Sequence, residues 1–310
     1  MQGQREGGQR TGCYAPAPGM ANKSSIIYTA RDQQLHEALA LSPLDTQQLL
    51  KMSQTFDQPF TSDRKLRQRM LEHVAEGWIN VFTYATTTSG KLNYYKLSAD
   101  GYRLLNGFGG PLPKRCYFRE VSPALQRHTR HLAEVIVQTN LHARRSGLRL
   151  FDQVGENQQT LSLGARSQKP DYSFRLATRE GVFTYYDELD ESTEPITSAK
   201  QRESLESKIR FHEDYQNATG ERYRVRMIFA KTTARLAQFL QLARTYGTRQ
   251  RCIFYAAFLD DYLKHDSPLT GPLFLDHFNR LRSLAPTPET DNVGRLPTFT
   301  KILAEPAGVC

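Results

Sequence analysis

A chain of 310 residues with 39% hydrophobic and 24% charged content can bury a substantial core, which excludes global disorder and favours two domains over one. Its 41 Lys and Arg against 32 Asp and Glu give a formal charge of +9, and a pI near 9.4 points to polyanionic partners, nucleic acid before an anionic membrane. No run of about 18 apolar residues occurs and residues 1–21 lack an apolar centre, so a membrane span and a signal peptide are not expected, and a cytoplasmic location is the expectation. Cys13, Cys116, Cys252 and Cys310 form no C-x-x-C pair, which argues against a zinc site and for reduced, mostly structural thiols.

Residues 1–23, rich in Gly, Gln and Arg, predict a disordered leader, with translation starting at Met1 or at Met20. A first domain is expected over 24–107. Leu35, Ala38 and Leu39 form the apolar stripe of one helix, and Asp45 reads as the N-cap of a second that carries Leu49, Leu50 and Met52. Ser62 reads as the cap of a third. Leu66, Met70 and Val74 recur there at helical spacing and face the core, leaving Arg64, Lys65, Arg67, Gln68 and Arg69 outside that stripe. Ile79-Asn80-Val81 and Asn93 to Leu97 flank a polar turn, residues 86–91, and predict a hairpin with Lys91 at a basic tip. Ser98 opens a last helix that Gly107 ends. Three helices, a hairpin and a further helix are the order of a winged helix-turn-helix, whose third helix enters the DNA major groove while the wing touches backbone or minor groove. A basic solvated face on an ordinary bundle is the alternative.

The breaker cluster after Gly107 predicts a linker over 108–121. The second domain, 122–285, is expected to begin with a long helix capped by Ser122 and running to Arg145, its apolar side made of Leu125, Leu132, Val135, Ile136 and Leu141. Strands are predicted near 148–151, 161–163, 171–176 and 181–189, then a helix over 199–215, a strand over 223–229, a helix over 234–246 and a strand over 251–259. This alternation predicts an α+β or α/β fold of the restriction-endonuclease-like sandwich type, with residues 286–310 as a tail.

The chemistry of this domain centres on carboxylates. Asp171 follows Pro170, and Glu188 and Asp190, two apart on one strand, project from the same sheet face toward an acid on a neighbouring strand. Asp171, Glu188 and Asp190 are therefore candidate ligands for Mg²⁺, which prefers oxygen donors and keeps waters for hydrolysis. This layout is similar to the PD-(D/E)xK nucleases, except that Asp190 stands where those enzymes carry lysine. An acid there cannot stabilise developing phosphorane charge, so the domain is expected either to be inactive or to draw its cation from Lys208 on the following helix. Solvated i,i+4 pairing on a helix that carries Glu203, Glu206 and Arg210 near Lys208 is the plainer expectation for that residue, and pairing of Glu188 and Asp190 with Arg175 or Lys208 the plainer one for the acids. His128 and His131, three apart on one helix, predict core packing or capping, and Tyr185, Tyr186 and Tyr215 predict core positions rather than nucleophiles. No phosphate-binding loop is present.

His131-Leu132-Ala133-Glu134-Val135, Lys169-Pro170-Asp171, the string from Tyr186 to Glu194 and Lys208-Ile209-Arg210-Phe211 together resemble the replication-relaxation family of plasmid and mobile-element proteins, over most of residues 29–260. The chain departs from that pattern in Lys169-Pro170-Asp171-Tyr172-Ser173 and at the polar Glu191. The resemblance implies a winged helix before a divergent nuclease-like domain, binding to double-stranded DNA in relaxation, replication or mobilisation, and a relaxase or replication protein, or a second copy, as partner. A Mg²⁺-dependent endonuclease and a transcriptional regulator with a degenerate nuclease domain are the alternatives.

Overall fold

The N-terminal helices start where side-chain oxygens are free to take up their first N–H groups. Thr29 caps α1 (Ala30–Leu41) and Asp45 caps α2 (Thr46–Met52), each in a reciprocal capping box, and Ser62 caps α3 (Asp63–Ala75) through Lys65 N. The computed structural model that gives this fold describes residues 26–85, 92–197, 204–247 and 254–285. The expected leader, Lys91 and the rest of the hairpin turn, residues 199–203 and 251–253, the tail and Cys13, Cys252 and Cys310 lie outside them. Cys116 is exposed.

A short strand, β1 (Leu44–Asp45), joins the hairpin strands β2 (Ile79–Thr83) and β3 (Asn93–Leu97) in the order β1-β3-β2, and α4 (Ala99–Asn106) follows, capped by Ser98 and closed at Gly107. Leu35, Leu39, Leu49, Met52, Leu66 and Met70 are buried together, so the helical spacing seen in the sequence is the packing face. The segment 108–121 lies against this unit: Tyr117 OH donates to Ala40 O at 3.0 Å, and Lys96 Nζ donates to Arg119 O at 2.7 Å.

The long helix α5 spans Gln126–Arg145 and has Leu125, not Ser122, at its N-cap position, so it starts three residues later than expected. Ser122 does not cap it. Leu125 N–H bonds Ser122 O in a preceding turn, and Leu125, expected on the apolar side, is 52% exposed. α5 serves two cores, because Ala133, Val137 and Leu141 join the N-terminal cluster while Leu132, Val135 and Ile136 pack on the large sheet.

That sheet contains β4 (Arg149–Val154), β7 (Tyr172–Thr178), β8 (Gly181–Asp190), β9 (Arg224–Phe229), β10 (Phe254–Phe258), β11 (Phe274–Asp276) and β12 (Leu281–Arg282), with β5 (Leu161–Leu163) and β6 (Arg166–Gln168) forming a separate ribbon. Its order is β12-β11-β10-β9-β8-β7-β4; β8, β9 and β10 run parallel and the flanking pairs antiparallel. The parallel strands are joined through α6 (Leu205–Thr219) and α7 (Thr233–Tyr246), which cover one face, while α5 and α8 (Leu259–Lys264) cover the other. The fold is thus α+β. The sequence does not predict β6, α8, β11 or β12; each is too short to display a period.

Strand alternation sorts the acids of β8. Tyr185, Asp187 and Leu189 face α5 and α8, while Tyr186, Glu188 and Asp190 face α6 and α7. Tyr185, Tyr186 and Tyr215 are buried, as expected of core residues.

Candidate functional site

Asp171 stands just before β7, one step beyond the Tyr172–Asp187 pair of the β7–β8 ladder, and its N–H bonds Asp187 O at 3.0 Å. The antiparallel register therefore sets it beside Glu188, as the sequence predicts. Its Oδ2 accepts the Leu189 N–H at 2.7 Å, and its Oδ1 lies 3.4 Å from His128 Nε2 in the first turn of α5. His128 is thus a partner of the acid and not a core or capping residue. A third group arrives from the turn after β4, where one ligand atom each from His128, Glu156 and Asp171 lie within 4.8 Å of one another.

Glu156 is delivered by a turn that only glycine permits. A Cβ on Gly155 would sit 2.1 Å from Leu41 O, and Gln158 Nε2 donates to Ala40 O at 2.7 Å, so the turn is seated against the end of α1.

Glu188 is fully buried, with Lys208 Nζ at 2.9 Å from Oε2 and Gln168 Nε2 at 3.3 Å from Oε1. Lys208 also reaches Glu194 at 3.0 Å. The lysine expected on the next helix therefore does meet the acid, while its helix neighbours Glu206 and Arg210 pair with each other. Asp190 does not join them. Both its oxygens are taken by the guanidinium of Arg235 on α7, through Nε to Oδ2 and through Nη2 to Oδ1 at 2.7 Å, and that Nη2 also bonds Glu194 O. The sequence sets Asp190 among the candidate metal and catalytic residues; in the structure its carboxylate is engaged by a bidentate, charge-assisted arginine from α7 and stands apart from Asp171 and His128. Arg175 binds neither acid; it pairs with exposed Asp152 at 3.1 Å.

Burial alone would raise the Asp171 carboxyl, but His128, the charge of Lys208 and the Leu189 N–H more than offset it and hold it below its ordinary value. Burial would lower the His128 imidazole; the hydrogen bond and charge of Asp171, with Glu156 and Glu191 behind them, instead raise it to about 9. For Glu188 burial prevails. Lys208 opposes it, Asp171 adds to it, and the carboxyl lies above its ordinary value. Lys208 itself is held charged, since Glu188, Glu194 and Asp171 outweigh its own desolvation. Glu156 is raised by burial and then by the Asp171 charge.

On the opposite sheet face Arg226 Nε donates to Asp187 Oδ1 at 2.6 Å in a wholly buried pair between Phe174 and Tyr262. His131 and Arg127 hold Glu191, at 2.5 and 2.8 Å. Neither partnership has a local sequence signal: the residues lie 39, 60 and 64 positions apart along the chain.

In the N-terminal unit, Arg64, Lys65, Arg67 and Gln68 are exposed on α3, Arg67 with an i,i+4 pair to Asp63 at 2.9 Å and Gln68 with a bond to Glu72 at 3.1 Å. Arg69 departs from the expected solvent-facing role. Its Nε donates to Asp32 Oδ1 at 2.8 Å, its Nη2 to Asp32 Oδ2 and to Ile27 O, and its Nη1 to Glu72 at 2.8 Å. Asp32 is fully buried, so Arg69 neutralises it and ties α3 to α1. Being acceptor-only, that carboxylate takes the His73 Nε2 hydrogen at 3.1 Å, and His73 Nδ1 lies 2.9 Å from His36 Nε2. Comparison with protein-family models, with curated proteins and with solved structures finds no match to this chain.

Proposed function

We infer that this chain is a duplex-DNA-binding protein of the replication-relaxation type, acting in plasmid or mobile-element relaxation, replication or mobilisation. In this reading residues 24–107 are a winged helix-turn-helix, and the domain that begins with α5 is a PD-(D/E)xK-like sandwich that makes further DNA or protein contacts. One observation carries it: α3, the third helix of the unit, keeps Arg64, Lys65, Arg67 and Gln68 exposed while Leu66 and Met70 pin its other side to the core. Such a helix can lie in a major groove with its cations on phosphates and Gln68 on an adenine edge. Gel-shift titration of the full chain and of its Arg64→Ala/Lys65→Ala/Arg67→Ala variant tests this; equal affinities for duplex DNA would overturn it.

A second reading, a metal-dependent endonuclease, is favoured by the contact between Lys208 and Glu188 beside Asp171. Lys208 would supply from α6 the cation that the strand lacks at Asp190. A bound divalent ion would supply an activated water, and Lys208 would lie where charge develops on the phosphate. Purified protein that nicks DNA with Mg²⁺ or Mn²⁺, and stops doing so as Asp171→Asn and as Lys208→Ala while still binding, supports this reading. Wild type with no nicking above the Asp171→Asn/Glu188→Gln double variant removes it and leaves the domain a binding module.

A further inference from the structure

The acids around the end of β8 are neutralised by lysines and arginines from this chain, whereas two acids beside them are not. Asp187 has Arg226, Glu188 has Lys208, Asp190 has Arg235 and Glu191 has Arg127. Among the described residues, neither Asp171 nor Glu156 has a Lys or Arg within ion-pair distance, although the two carboxylates are drawn together and half-buried; the basic group between them is His128. Holding two carboxylates this close costs free energy unless positive charge sits between them, a charge that His128 supplies when protonated and that a bound cation would supply in its place. The backbone nevertheless enforces the approach, through the Gly155 turn seated on Leu41 and through the Leu189 N–H that fixes Asp171.

We propose that His128, Glu156 and Asp171 form a binding site for a divalent first-row transition-metal ion. Each ligand comes from a different rigid element, α5, the turn after β4 and the residue before β7, which is the preorganisation a metal site requires. One imidazole nitrogen and two carboxylate oxygens suit Mn²⁺ and its heavier neighbours better than Mg²⁺, which favours an all-oxygen shell. Three protein ligands leave positions for water or a phosphate oxygen. Glu188 stays outside the set, because Lys208 and Gln168 engage its two oxygens. The site stands whether or not the domain cleaves DNA, since it rests on the ligand geometry alone.

The test is Mn²⁺ binding to the metal-stripped full chain, followed by the loss of the free-ion electron paramagnetic resonance signal and by calorimetry. Wild type is expected to bind one ion per chain. Glu156→Gln and His128→Ala should each weaken binding by at least about tenfold, since even outer-shell changes at metal sites cost that much, whereas Glu188→Gln should retain it. A tenfold excess of Mg²⁺ over Mn²⁺ should leave the signal lost. Glu156→Gln is nearly isosteric and lies on a surface turn, so circular dichroism and an unchanged duplex-DNA affinity will show that it folds. Absence of Mn²⁺ binding by wild type overturns the site and leaves protonated His128 as the cation between the acids. Binding that survives Glu156→Gln but fails in Glu188→Gln overturns the ligand set, and displacement by Mg²⁺ overturns the choice of ion.

Discussion

Arg69 and Arg64 lie on the same helix five residues apart and should respond to truncation in opposite ways. Arg69→Ala leaves Asp32 wholly buried without its guanidinium, and breaking a buried pair typically costs about 3–5 kcal/mol. The lower end applies here, because Thr29 N–H at 2.8 Å, the Thr29 hydroxyl at 2.7 Å and His73 at 3.1 Å remain as donors to the carboxylate. Arg64→Ala touches no such partner and should stay within about 0.5 kcal/mol of wild type. Trp78, the single tryptophan, packs edge-on against Tyr28, His36 and His73, so its fluorescence reports on this network during urea unfolding. DNA affinity should separate the pair the other way: Arg64→Ala weakens binding at unchanged stability, while Arg69→Ala binds normally wherever it is still folded. An Arg69→Ala unfolding midpoint indistinguishable from that of Arg64→Ala would refute the assignment of Arg69 to the core.

Arg235→Leu should destabilise the fold by about 3–5 kcal/mol by stranding Asp190, and Asp190→Asn should leave metal affinity unchanged; a metal-binding defect in Asp190→Asn with normal stability would restore that acid to the site. His36 and His212 are held down to about 3 in the fold, chiefly by burial and then by His73 and Lys208 respectively. The unfolded chain therefore binds more protons below the ordinary histidine value, and stability should fall between about pH 6.5 and pH 3 by up to about 1.4 kcal/mol per pH unit for each histidine. Urea midpoints at pH 7, 6 and 5 measure this, and a shallower profile in the His36→Gln/His212→Gln double variant than in wild type identifies the groups, the remaining slope coming from His142 and His277, which burial also lowers; equal slopes in the two proteins contradict the burial of His36 and His212 as neutral rings. Gly155→Ala forces a Cβ against Leu41 O, so it should lower the thermal midpoint and weaken Mn²⁺ binding together; a variant with wild-type values in both would show that the turn is not held by that contact.

The sequence displays what is local and periodic. Asp45, Ser62 and Ser98 act as helix caps because the choice of an oxygen-bearing side chain is made within one turn, and Asp171 and Glu188 come together because strand alternation and antiparallel register follow from the hydrophobic pattern. Ser122 misleads for the same local reason: it has the right side chain, but the chain turns once more before α5 begins at Gln126. Partners chosen across the fold leave no local trace. Arg69 reads as one more exposed cation until Asp32, 37 residues earlier, is seen beneath it, and Asp190 reads as a ligand until Arg235, 45 residues later, closes on it. Glu156 sits in a Gly-Glu-Asn turn, Gly155 to Asn157, that looks like any loop, and its place beside His128 and Asp171 depends on how that turn seats against α1.

The claim that α3 docks on duplex DNA is tested most directly by fluorescence anisotropy of a labelled duplex across a salt series, with wild type and the Arg64→Ala/Lys65→Ala/Arg67→Ala variant in parallel. Removing one phosphate-bound cation should reduce the slope of log affinity against log salt by about 0.9, so removing all three should flatten it by about 2–3 as well as weaken binding. Superimposable slopes and affinities for the two proteins would contradict a DNA-docking role for α3.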